Sequence, residues 1–219
     1  MRTLALALLS LPLLAADLQV KDLRLEVGRG SVSSYDAEYD YDAGPDSALP
    51  SGTYTADEYE GTAPVAVSLL WSRGNLKPWG FIWAAGGEWQ HSEDDALGLT
   101  FDTDVFMAKG RAGVGWCPGE RWRLEATAEL AVGYIRVEDA DVDTNGDVWR
   151  EDATGSYTHI GAQVGAAWIT NKGVEFGVSF RALACAAYTE AEFDQTGGGY
   201  EADVSWVLLT GALTVGYRF

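Results

Sequence analysis

The 219-residue chain has no apolar run approaching the length, about 18 residues, that a membrane-crossing helix requires. Basic residues are scarce: 15 Lys and Arg stand against 33 Asp and Glu, for a formal charge of −18. That balance excludes a general nucleic-acid binder, which needs a basic surface. Only two cysteines are present, Cys117 and Cys185. Cys117 falls in a turn, and Cys185 lies well along a strand that begins near Val174. The offset is roughly 30 Å or more at about 3.3 Å per residue, against a limit of about 7 Å between bridged Cα atoms. A disulfide is therefore excluded.

What is abundant is glycine, at 26 residues, and tryptophan, at nine, set in segments that alternate strictly between apolar and small or polar residues. Such period-2 alternation marks strands with unlike environments on their two faces. The apolar faces run Leu23 to Val27, Ala63 to Trp71, Trp79 to Trp89, Phe106 to Trp116, Trp122 to Tyr134, Ile160 to Trp168, Val174 to Tyr188, and Val207 to Tyr217. Eight segments without a spanning helix predict an all-β fold, an eight-stranded antiparallel up-and-down barrel. Only helices and closed barrels satisfy every backbone group in hydrocarbon, and single-chain bacterial barrels have even strand numbers.

Short turns near 73–78, 117–120 and 171–173 alternate with long acidic loops near 31–62, 92–98, 137–156 and 190–203. In the first loop Asp36, Glu38, Asp40, Asp42, Asp46, Asp57, Glu58 and Glu60 have no Lys or Arg among them and are interleaved with tyrosines. Membrane barrels have short periplasmic turns and longer extracellular loops, which predicts both termini on the periplasmic side.

A soluble eight-stranded barrel of lipocalin type would share the alternation. The aromatics decide between the two. Trp71, Trp79, Trp116, Trp122 and Trp168 share the apolar face beside the short turns, level with Tyr217 and Phe219, while Trp89, Tyr134 and Tyr188 form a sparser ring at the other height. This is the pattern of paired interfacial girdles. The opposite face carries Arg24, Glu26, Glu88, Lys109, Arg111, Arg123, Glu125, Glu129, Glu175, Arg181 and Arg218 among small residues. An interior of eight strands is just wide enough for side chains. It suits such a set and could not take five indoles. Buried charges must be paired, so the near balance predicts a salt-bridge plug, with a gated ion path as the alternative.

The last strand, Val204 to Phe219, closes on an aromatic ring and resembles the C-terminal signature of bacterial outer-membrane β-barrels. The chain as a whole resembles the OmpA/OmpX/OmpW group of small outer-membrane barrels. The resemblance implies a Gram-negative outer-membrane location, recognition of Phe219 by the barrel assembly machinery, contact with outer-membrane lipid and lipopolysaccharide, and a monomer that binds no nucleic acid. Residues 1–16, with Arg2 before a short apolar run, are expected to be a signal peptide. Residues 17–219 are expected to form the single barrel domain, and with no Cys at that start a lipoprotein anchor is not expected.

Three functions remain open on this scaffold, because function lives in its loops. The first is a non-enzymatic surface role for the acidic, Tyr-rich loops, through contacts or divalent-cation bridges to lipopolysaccharide phosphates. The second is a narrow, porin-like conduit for small molecules, and the third a lipid A acyl-modifying enzyme. For the third, His91 and Ser92 are adjacent on a strand and point to opposite faces, poorly placed to share a proton, and His159 faces inward alone. No catalytic residue and no cofactor is expected, apart from loosely bound calcium. Asp141, Asp143, Asn145 and Asp152, with Gly146 between, resemble positions 1, 3, 5 and 12 of an EF-hand-type loop, although Asp152 stands where Glu is usual. The alternative is a hairpin turning on Asn145-Gly146, which pairs Thr144 with Asp147, Val142 with Trp149 and Asp141 with Arg150.

Overall fold

The computed structural model describes residues 20–48, 50–59, 61–74, 79–96, 99–119, 121–142, 144–194 and 196–218. The signal-peptide expectation, Phe219 and Asp143 lie outside them. The described strands are β1 (Val20–Asp42), β2 (Gly52–Ala56), β3 (Val65–Gly74), β4 (Trp79–Ala96), β5 (Leu99–Gly119), β6 (Trp122–Val142), β7 (Val148–Ile169), β8 (Val174–Phe193) and β9 (Gly198–Arg218). β1 pairs antiparallel with β3, each strand from β3 to β9 pairs antiparallel with the next, and β1 pairs with β9 from Asp22↔Arg218 to Asp42↔Gly199, closing a ring of eight. The ninth strand, β2, hangs on the upper part of β1 through Ala37↔Ala56 to Tyr41↔Gly52.

The outside of the ring is apolar and the inside charged. Leu213 (68%), Phe180 (65%) and Ile160 (63%) are exposed on the outer wall, whereas Arg123, Glu129 and Glu175 are buried within. That inversion of the soluble pattern is the signature of a transmembrane β-barrel, whose outer face meets lipid. Trp79 stacks on Trp116 with ring centroids 5.3 Å apart, and Trp71 meets Trp83 edge-on at 5.2 Å. Trp122 pairs with Trp168 across β6 and β7, and Leu23 lies between Trp71 and Tyr217. These indoles and Tyr217 form a belt beside the short turns; Trp89, Phe106 and Tyr134, neighbours across β4, β5 and β6, mark the other edge.

The expected loops are largely strand. β1 continues to Asp42, β4 to Ala96 and β8 to Phe193, and β5 and β9 start at Leu99 and Gly198. Strands of some 20 residues far exceed the about 9–11 needed to cross a bilayer, so the barrel stands well clear of the upper belt. Beyond the hydrocarbon the ladder continues, because its hydrogen bonds still form there and only the outward residues need to become polar.

β6 and β7 do form a hairpin about Asn145-Gly146, but the expected two-residue turn and its pairing are overturned. β6 and β7 run in one unbroken register from Trp122↔Trp168 to Val142↔Val148, with Asp141 opposite Trp149 and Ala140 opposite Arg150. A two-residue turn would need a slip of one, which would turn every side chain of one strand to the wrong face. The barrel below sets the register, and a five-residue connection with Gly146 at φ +89° absorbs the remainder.

β1 carries one further departure. Its register with β9 shifts between Val32 and Ser34, and Ser33 and Ser34 both face out. Below this bulge the even-numbered residues face inward, as Arg24 and Glu26 do; above it Ala37 and its odd-numbered neighbours do. The extra residue thereby turns Tyr35, Tyr39 and Tyr41 toward the lumen and leaves Asp36, Glu38 and Asp40 in water.

Candidate functional site

Two charged layers fill the lower lumen. In the first, Arg123 bonds Asp22 and Glu175 and lies 3.2 Å from Glu125. Arg24 donates to Glu125 at 3.0 Å and lies 3.6 Å from Glu175, and Arg218 approaches Asp22 at 3.6 Å. In the second, Arg111 grips both oxygens of Glu26 at 2.8 and 2.7 Å and also bonds Glu129. Arg181 donates to Glu88 at 2.7 Å and to Glu129 at 3.2 Å. Lys109 bonds Glu88, to which Ser68 and Gln90 also donate.

Asp22, absent from the sequence reading, supplies the missing acid. Each layer then holds three cations and three carboxylates: Arg24, Arg123 and Arg218 with Asp22, Glu125 and Glu175, then Lys109, Arg111 and Arg181 with Glu26, Glu88 and Glu129. Local neutrality is what permits so many buried charges, since an unpaired one costs several kcal/mol. Arg218 is the most accessible member, at 28% of its side chain, and lies at the rim.

His159 does not stand alone. Its Nε2 lies 3.0 Å from Glu129 and its Nδ1 3.1 Å from the Tyr157 hydroxyl, which donates to the Cys185 thiol at 3.3 Å. This chain leads from the upper charged layer into a dry one. Val105, Met107, Ile135, Tyr157, Leu183 and Leu208 meet there inside the barrel, with Val32, Val137 and Trp206 packed against them. Cys185 is thus a buried lumen residue, and Cys117, expected in a turn, lies instead in the last residues of β5, within the irregularity between Trp116 and Gly119; both are free thiols.

Above the dry layer a cavity of about 400 Å³ opens. Val105, Ile135, Val137 and Ala187 form its floor and lower wall, and Tyr35, Tyr39, Tyr59, Phe101, Tyr200 and Trp206 its sides. The aromatics brace one another: Tyr35 lies 5.6 Å from Tyr59, Tyr39 6.2 Å from Tyr200, and Tyr157 5.6 Å from Trp206. The Tyr35 and Tyr39 hydroxyls are 3.1 Å apart. Polar residues border it too: Gln90, His91, Ser92, Thr103, Glu138, Asp139 and Thr189 edge the space. Burial, then the Asp139 carboxylate, pushes the Tyr200 phenol above its ordinary value.

Of the calcium-loop residues, Asp143 lies outside the described residues, and Asp141 and Asp152 are not brought together. β7 begins at Val148, so Asp152 lies within a strand opposite Glu138, three rungs below Asp141 and about 10 Å away. Its carboxylate is held by Arg136 at 2.8 Å. A ligand loop must wrap around its ion, and a continuing β-ladder cannot. His91 engages Asp104 through Nδ1 at 3.1 Å and approaches Glu93 through Nε2 at 3.7 Å; neither ring nitrogen is aimed at Ser92.

No protein-family model matches the chain, and neither does any curated protein. Among solved structures it is similar to the outer membrane protein OprG from Pseudomonas aeruginosa, with 14% identity, 92% of this chain and 97% of that one covered, and a TM-score of 0.44. Neisserial surface protein A has 13% identity, coverage of 90% and 95% and a TM-score of 0.42, and the attachment invasion locus protein Ail of Yersinia pestis 14%, 92% and 100%, and 0.32. By its own coordinates, the chain is an eight-stranded transmembrane β-barrel with a neutralised, side-chain-filled lumen under an aromatic cup.

Proposed function

We propose that this protein is a non-enzymatic outer-membrane receptor for a small, largely apolar molecule, held in the aromatic cup at the extracellular mouth. The observation that carries this is the stacking order along the barrel axis: an open apolar cavity of ligand size, a dry layer beneath it, then two neutral charged layers. Ligand pockets run roughly 300–1,000 Å³ and are mainly apolar with a few polar groups that orient the guest. Gln90, Thr189 and Asp139 are the orienting groups here. A guest with a ring or short aliphatic body and one hydrogen-bonding group fits this chemistry.

The filled layers disfavour a continuous conduit, because passage would require several buried ion pairs to open together. The short turns lie at the end away from the cup, which supports a reading in which both termini face the periplasm. The barrel stands as a monomer among lipopolysaccharide and outer-membrane lipid, with its acidic outer strands in water. The test is titration of naphthalene into the refolded protein while tryptophan emission is followed, since Trp206 lines the cup. Saturable binding is expected, lost in Ala187→Phe, which fills the floor. Planar-bilayer recordings are expected to show no steady conductance. Saturable binding that Ala187→Phe leaves unchanged, or a persistent ohmic pore, would refute the reading.

A further inference from the structure

On the outer wall of the upper barrel, β4 and β5 set four metal-capable side chains on one face. His91 lies opposite Asp104, and Glu93 opposite Asp102, on successive same-face rungs. One ligand atom from each of His91, Glu93 and Asp102 lies within 4.8 Å of the others. A zinc ion with bonds of about 2.0–2.2 Å needs tetrahedral ligand atoms about 3.4 Å apart. Glu93 and Asp102 are exposed and free to swing that far.

The fourth residue makes this more than an acidic cluster. Asp104 Oδ1 accepts the Trp89 indole N–H at 2.9 Å and lies 3.1 Å from His91 Nδ1. The imidazole stacks on Trp89, with centroids 5.7 Å apart and planes 24° from parallel. Arg136 sits across from Asp104 on β6 with its guanidinium held by Asp152. A metal-bound histidine commonly gives its other N–H to a carboxylate, which fixes the tautomer and aims the free nitrogen at the ion. Here the Trp89–Asp104–His91 chain does this, and the free Nε2 points toward Glu93.

We propose that His91 Nε2, Glu93 and Asp102 bind one divalent transition-metal ion of the zinc class, with Asp104 as the residue that positions His91. Two carboxylates neutralise the dication, the imidazole selects a borderline metal over calcium or magnesium, and three protein ligands leave one position for water. The site lies where β3 ends at Val65, opposite His91; beyond that rung the Glu93 backbone is held by Thr62, whose N–H donates to the Glu93 carbonyl at 2.6 Å and whose hydroxyl accepts the Glu93 N–H at 3.0 Å. A bound ion clasps β4 to β5 at that edge, and His91 also borders the cup.

The experiment is calorimetric titration of Zn²⁺ alone into the full refolded chain, with no cup ligand present, so that its outcome is independent of the proposed receptor role. One equivalent is expected. Asp104→Asn should weaken binding 10- to 100-fold while keeping that stoichiometry. His91→Gln and Asp102→Asn should each weaken it at least as much, and Glu192→Gln, an exposed carboxylate elsewhere, should leave it unchanged. Far-UV circular dichroism verifies that each variant is folded. Several weak equivalents that His91→Gln does not alter would mean diffuse binding to acidic strands and would overturn the site, as would no binding at all.

Discussion

Arg111 and Glu26 offer a direct test of whether layer neutrality or particular ion pairs hold the lumen together. Arg111 spans Glu26, through two bonds at 2.7 and 2.8 Å, and Glu129; all three side chains are almost wholly inaccessible. Arg111→Met leaves the upper layer with two cations against three carboxylates, and an uncompensated buried charge costs about 3–5 kcal/mol. Glu26→Leu leaves the opposite excess at a similar cost. The double variant restores two against two, with Lys109 and Arg181 facing Glu88 and Glu129, and replaces the pair with apolar groups of like volume. Such replacements are often neutral or stabilising, so the double variant is expected within about 2 kcal/mol of wild type, whereas additive singles would give about 6–10 kcal/mol. Urea unfolding in phospholipid vesicles, followed by tryptophan emission, measures all three. A double variant as unstable as the sum of its singles would show that specific geometry, and not charge balance, is what the lumen requires.

Placing Arg at Ala128, which faces lipid near mid-height, should cost about 2–4 kcal/mol of folding free energy in vesicles, against about 0–1 for Val148→Arg beyond the upper belt; equal costs would contradict the assigned membrane level. At Gly155 an added Cβ would come within 1.7 Å of the Tyr188 carbonyl oxygen, so Gly155→Ala should lower the urea midpoint, and an unchanged midpoint would mean the two strands can part there. Because the Tyr200 phenol is raised by burial and by Asp139, the unfolded chain releases that proton first. The stability it contributes is complete below about pH 10 and declines above it. Tyr200→Phe should therefore flatten the alkaline loss measured by urea midpoints from pH 9 to 11.

The alternation that specified the barrel was legible because lipid and lumen differ most at mid-height. Leu124, Ala126 and Ala128 against Arg123, Glu125 and Thr127 leave no doubt about the two faces. The signal fades above, where both faces turn apolar: Trp206-Val207-Leu208-Leu209 and Val105-Phe106-Met107 lose the period. In retrospect that loss marks the dry layer, since Leu208, Val105 and Met107 are buried inside. Asp22 was overlooked because it precedes the first clear alternation, and only closure of β1 against β9 brings it to Arg218. His159 looked isolated because Glu129 reaches it from β6, although Tyr157, two residues before it on the same face of β7, was legible in the strand itself. The convergence of His91 with Asp102 and Asp104 likewise required the β4–β5 register.

The bulge at Ser33 determines the chemistry of the mouth, and its removal gives a prediction opposite to what a deletion in a strand usually brings. Val32 pairs with Leu208 and Ser34 with Val207, so one residue of β1 has no counterpart on β9. Deleting Ser33 therefore leaves a regular ladder in which Val32, Tyr35 and Tyr39 keep their inward faces and the pairs from Ser34↔Val207 to Asp42↔Gly199 are unchanged. Deleting Asp36 instead forces a choice. If the bulge persists, Glu38 and Asp40 turn into the lumen beside Asp139; if it is lost, Ser34 replaces Tyr35 in the cup wall. Either way an aromatic side of the cup is forfeited. Naphthalene affinity within about threefold of wild type, a difference of about 0.65 kcal/mol, is expected for the Ser33 deletion, with loss of saturable binding for the Asp36 deletion. If the Ser33 deletion also abolished binding while the barrel still inserted, the bulge would be supplying local twist to the cup and not merely setting which residues face it.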